Sequence, residues 1–147
     1  MSEWTELEPD RKPAGAPKAP VRFGLMKMRK ARSRGRVLIL RDVVSQLGMK
    51  TWRVNVRLGK GARQHQIAII PDEQGRFELQ ELGKSKGGGT FSINMPVVER
   101  FPDVPFSPME VRWTVEAEGK RKILVVDLPP FCWDDGERRR LLQRKGA

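Results

Sequence analysis

The chain runs through one order of secondary-structure signals twice, and this doubling limits its fold more than any single motif does. Residues 36–48 (RVLILRDVVSQLG) lie against 90–102 (TFSINMPVVERFP), and residues 52–73 lie against 110–130. Identities are few, but the apolar positions, the hairpin turns and the terminal Pro71 and Pro129 agree. The first copy opens on residues 21–30, where Val21, Phe23 and Leu25 alternate with polar residues as in a half-buried strand. Residues 31–35 read as a turn, 36–40 as a second strand, and 41–48 as a short helix with Asp42 near its start and Gly48 as its stop. Residues 51–58 then alternate, with Trp52, Val54, Val56 and Leu58 inward, and 64–70 pair back as a hairpin.

The second copy has a strand over 75–82, a glycine-rich turn over 83–89 and a strand over 90–95. One helical turn follows over 96–101, led by Pro96, then a hairpin over 110–117 and 121–128. Each half alone leaves strand edges unsatisfied and one apolar face open. Together they predict a mainly β fold: two ββαββ repeats, 21–73 and 75–130, closed into one eight-stranded barrel with two short helices. The folded domain then covers 21–133. Residues 1–20 hold four prolines and read as a disordered arm, and 134–147 as a charged tail able to form a short helix anchored by Leu141 and Leu142. Trp52 and Trp113 take equivalent positions in the two repeats and are expected in the core, not as a stacking platform for bases.

Charge is distributed as unevenly as the repeats are regular. The formal net charge is +11. Residues 1–10 carry four acids and no base, residues 11–63 carry sixteen Lys/Arg against one acid, and residues 64–133 carry eight bases against ten acids. A basic excess confined to one stretch predicts one polyanion-binding face, with nucleic acid the first candidate partner.

The segment GRVLILRDVVSQLGM, followed by WRVNVRLGKG and QIAIIPDE, resembles the AbrB/SpoVT/MraZ group of swapped-hairpin DNA-binding domains. Gly35, Arg36, Val37, Ile39, Asp42, Val43, Leu47, Gly48 and Met49 fall on that motif without a gap. Leu40 replaces its usual proline and Val44 its usual helix arginine. The resemblance implies a swapped-hairpin barrel of the cradle-loop type, with arginines of the first hairpin and its loops meeting duplex DNA. It implies a transcriptional regulator, cytoplasmic and nucleoid-associated. The expected partners beside nucleic acid are a second copy, since homodimerisation would restore the two-fold symmetry that one basic half lacks, or another protein.

The candidate contacts are Lys27, Arg29, Lys30, Arg32, Arg34, Arg36, Arg41, Arg53 and Arg57. Arg32 and Arg34, read at the tip of the first hairpin, are the expected base readers, because a guanidinium fork suits a guanine edge and a two-stranded ribbon fits the major groove. Lys27, Arg29, Arg36 and Arg41 suit phosphates better. Arg53 and Arg57 share a strand face with Asn55 that reads equally as the flank of a basic surface or as ordinary solvent face.

Other classes find less support. The lone Cys132 rules out an intramolecular disulfide and suits a reducing compartment. No apolar run reaches the roughly 20 residues that span a bilayer, and the acidic N-terminus is no secretory signal. His65 is the only histidine, so a metal centre or a Cys-His pair would rest on very few residues. Residues 83–89 (GKSKGGG) resemble a phosphate-cradling loop in composition but lack the Walker spacing. A non-enzyme without cofactor is expected. Alternatives are an RNA-binding or nucleoid-like module without sequence choice, an antitoxin-like protein whose half-fold is the same, and a protein-interaction domain with an acidic partner. The tail of 134–147, with five bases against three acids, does not match the acidic arm of an antitoxin.

Overall fold

The computed structural model describes residues 3–5, 19–82 and 89–145. Most of the proline-rich arm and most of the glycine-rich turn at 83–89 therefore lie outside the described residues. Ten strands and two α-helices follow in order: β1 (Val21–Met28), β2 (Ala31–Leu40), α1 (Arg41–Gln46), β3 (Arg53–Leu58), β4 (Gln66–Pro71), β5 (Phe77–Glu78), β6 (Gln80–Leu82), β7 (Thr90–Asn94), β8 (Phe106–Glu110), β9 (Trp113–Glu118), β10 (Arg121–Asp127) and α2 (Asp135–Lys145). They form two antiparallel five-stranded sheets. The first has the order β6-β7-β2-β1-β8 and the second β5-β3-β4-β10-β9.

Alternation dictates the core. Val21, Phe23 and Leu25 of β1, Val37 and Ile39 of β2, and Phe91 and Ile93 of β7 are buried from the first sheet. They meet Val54, Ile67, Ile69, Leu124 and Val126 of the second in one central cluster. Phe23 packs edge-on against Phe101 with ring centroids 5.7 Å apart. A further apolar group, Ile70, Ile123 and Val125, lies apart from this cluster, on the outer face of the second sheet.

Each sheet joins a hairpin from the first half of the chain to one from the second half. β2 pairs with β7 (Val37↔Ile93, Ile39↔Phe91), and β4 pairs with β10 (Ile69↔Leu124, Ile67↔Val126). Lying RVLIL against TFSIN keeps faces matched, since Val37, Ile39, Phe91 and Ile93 are all core residues. Matching Pro71 to Pro129 does not. It would place core Ile67 on Val125, which faces the opposite way. Because side chains alternate with period two, the matching alignment is one residue shorter and sets Ile67 on Leu124.

Four local expectations change. Residues 31–35 are strand rather than turn, and the hairpin turns at Arg29 and Lys30, with Lys30 at φ 60°. Residues 96–101 form no helix; a single turn closes there through the Phe101 N–H to the Val98 carbonyl at 3.0 Å. Pro102 disfavours helical geometry at Phe101, and the carbonyl of Phe101 is taken by Arg32 instead. The second helix is α2 in the C-terminal tail, where the Asp134 carboxylate accepts the Glu137 N–H at 3.1 Å as a cap. Residues 75–82 split at Leu79, whose N–H bonds the Trp52 carbonyl, so β5 edges one sheet and β6 the other.

β8 was not expected. It runs antiparallel along β1 as an edge strand, and Gly24 makes that approach possible, because a Cβ there would sit 2.8 Å from the Pro108 nitrogen. The core assignment of the tryptophans also needs correction. Trp113 is half-buried against the central cluster, whereas Trp52 is 47% exposed.

Candidate nucleic-acid interface

The β1–β2 hairpin carries seven Lys/Arg and no acid over residues 21–40. Its ten-residue return strand extends roughly 33 Å at about 3.3 Å per residue. Ser33, Gly35, Val37 and Ile39 face the core, so Arg34, Arg36 and Leu38 face outward. On β1, Arg22 stands in register with Leu38, and Gly24 with Arg36. The Nε atoms of Arg22 and Arg36 are shielded from solvent and have no hydrogen-bond partner.

Towards the turn the pairing slips between Met26 and Met28, a bulge at Lys27. Lys27, Arg29 and Lys30 are all exposed there. The left-handed conformation of Lys30 favours glycine or asparagine, so a lysine at this position adds charge at some conformational cost.

Among the described residues, Arg22, Lys27, Arg29, Lys30, Arg34 and Arg36 form no ion pair. The nearest acids do not neutralise them. Glu110 of β8 stands in register with Arg22 without forming a salt bridge. Asp103 accepts the Ser33 N–H at 2.7 Å. That backbone donor, then the Ser33 hydroxyl, holds the Asp103 carboxyl below the usual carboxylate range, with Arg32 and Lys27 adding smaller effects.

The other expected contacts have structural employment. The Arg32 guanidinium donates to the Phe101 carbonyl at 3.0 Å and ties the loop after β7 against β2. Arg32 and Arg34 are thus not tip residues. Arg41 pairs with Glu81 at 2.8 Å. Arg53 donates to the Gly75 carbonyl at 3.1 Å. Arg57 donates to both oxygens of Glu118 at 3.2 Å. Glu118 also accepts Arg121, and Arg63 forks onto Glu116 at 2.9 and 3.1 Å. These arginine hydrogen bonds hold both glutamates below the usual carboxylate range.

Five of the nine sequence candidates therefore share one hairpin with free charge: Lys27, Arg29, Lys30, Arg34 and Arg36. Arg22 joins them, and its place on the polar side of the β1 alternation was the sequence signal for it. Cys132 is fully buried, and burial pushes its thiol up to about 12, so no thiolate is present near neutral pH. Among the described residues no cluster of His, Cys, Asp and Glu is placed to hold a metal ion, and no helix is long and apolar enough to cross a membrane. Comparison of the chain with protein-family models, curated proteins and solved structures finds no match.

Proposed function

We propose that this chain is a DNA-binding protein that grips duplex DNA through its β1–β2 hairpin, and that it serves as a transcriptional regulator. One observation carries the reading. Six cations on a single hairpin have no carboxylate partner among the described residues, while Arg57, Arg63 and Arg121 on the opposite sheet are ion-paired. The hairpin's roughly 33 Å corresponds to about ten base pairs of duplex at 3.4 Å per step.

Arg22, Lys27, Arg34 and Arg36 position the backbone. Arg29 and Lys30, at the turn, take the place of Arg32 and Arg34 as the residues that enter a groove. The same proposal includes an internally duplicated swapped-hairpin barrel. Its support is that the return strands of corresponding hairpins pair with each other in both sheets, β2 with β7 and β4 with β10.

The test is fluorescence anisotropy with a mixed-sequence 20-base-pair duplex, a single strand and an RNA hairpin, followed by selection from a random duplex pool. Duplex binding that the Arg29→Ala/Lys30→Ala variant loses, with a recovered consensus, supports a sequence-selective regulator. Equal affinity for every duplex and for RNA favours the non-selective alternative. No duplex binding at 50 mM salt removes the proposal.

A further inference from the structure

At the end of β2 remote from its turn, α1 begins at Arg41 and the following loop returns Trp52 to the same corner. Trp52 stacks on Phe91 with centroids 4.9 Å apart and planes inclined by 26°. The Arg41 guanidinium lies 5.3 Å from the centre of the same Phe91 ring, held beside it by Glu81. Arg41, Val44, Ser45, Gly48, Met49 and Trp52 line a cleft of about 280 Å³. That is just under the roughly 300 Å³ at which pockets for drug-sized ligands begin, a space suited to one ring system.

Burial of a tryptophan is a large apolar gain, and a chain that leaves half of one in water forgoes much of it. Phe91 is 1% exposed and already sealed in the core. Trp52 is therefore a ring backed on one face, open to solvent and flanked by a cation. Stacking platforms for single-stranded nucleic acid combine the same elements, an aromatic face beside positive charge.

Resting on the nucleic-acid reading above, we infer that Trp52 and Arg41 seat one unpaired nucleobase, so that the preferred substrate is a duplex with a single-stranded end or junction. Phe91 stiffens the platform, Arg41, fixed by Glu81, flanks the base edge, and Met49 walls the cleft.

The inference is tested by anisotropy titration of a blunt 20-base-pair duplex against the same duplex with a four-nucleotide overhang of either polarity. The readout is the ratio of the two affinities. Stacking of one base predicts a wild-type ratio of roughly 5 to 100 in favour of one overhang. Trp52→Phe keeps most of that ratio. Trp52→Leu, which retains apolar packing on Phe91, brings it close to one, with the melting temperature checking the fold of both variants. A wild-type ratio near one, or a Leu variant that keeps the preference, overturns the inference while leaving duplex binding intact. Absence of binding to the blunt and the overhang duplex alike at 50 mM salt refutes the parent reading instead.

Discussion

Two double variants with the same formal charge change separate a hairpin interface from general basicity. Arg34→Ala/Arg36→Ala and Arg57→Ala/Arg63→Ala each remove two positive charges from the formal +11. Among the described residues Arg34 and Arg36 are unpaired, whereas Arg57 and Arg63 are bound to Glu118 and Glu116 on the outer face of the second sheet. If each of the six free hairpin cations displaces counterions from one phosphate, the logarithm of the binding constant falls against the logarithm of salt with a slope of about −5.4. Loss of two contacts brings that slope to about −3.6. Between 50 and 200 mM salt, six contacts at a slope of about −5.4 lower wild-type affinity roughly 1,800-fold, and the four left in Arg34→Ala/Arg36→Ala lower it roughly 150-fold. The Arg57→Ala/Arg63→Ala slope stays at about −5.4, because the carboxylates it frees stand two layers of sheet away, beyond a Debye length of about 10 Å. The assay is anisotropy of a labelled 20-base-pair duplex at four salt concentrations. Equal slope changes in the two variants, or a larger change in the second, would refute the assignment of the interface to the first hairpin.

Arg32→Ala breaks the hydrogen bond to the Phe101 carbonyl and is expected to cost about 1 kcal/mol in urea unfolding while leaving the salt slope in place, the reverse of Arg34→Ala. Asp103 has a folded-state pKa below its unfolded value, so its stabilisation is present above the ordinary carboxylate range and is lost as pH falls through the folded value. Unfolding measured from pH 6 to pH 3 is expected to show a shallower acid-side decline for Asp103→Asn than for wild type. Gly59→Ala places a methyl inside contact distance of the Arg63 carbonyl, a backbone atom that cannot step aside. A loss of about 2–3 kcal/mol is expected in the same assay.

The sequence made the strand framework legible wherever alternation was uninterrupted. β1 buries Val21, Phe23 and Leu25 as its pattern requires, and Gly48 stands past α1 with φ 60° as a left-handed stop. β8 was hidden because Pro105 and Pro108 argue against a strand, and an edge position tolerates Pro108 where a central one would not. The short helix expected from Pro96 yielded to contacts that no local window contains, with Arg32 and Ser33 capturing Phe101 and Asp103 across about 70 residues. The same limit applied to the site. Charge counting found the basic stretch, but whether an arginine is free depends on glutamates 53 to 61 residues away. Trp52 had the alternation of a core residue, yet its place at the sheet margin left it half in solvent.

The free charge of the hairpin costs stability, and this makes its retention testable. Six like charges on one hairpin repel in the folded state, while the neighbouring outward positions of β7 are the neutral Ser92 and Asn94. Asn94 is exposed and stands in register with Arg36, so Asn94→Asp sets a carboxylate directly across from an unpaired guanidinium. A cross-strand pair of opposite charge contributes about 0.2–1 kcal/mol, which corresponds to a melting temperature higher by roughly 1–4 °C in a domain of this size. If Arg36 meets phosphate, the same substitution weakens duplex binding and lowers the salt slope by about one. A protein that becomes more stable and binds less well shows that the missing acid is a functional omission from the fold. A variant that gains stability and keeps its full affinity and slope would remove Arg36 from the interface and confine the contact to the turn at Lys27, Arg29 and Lys30.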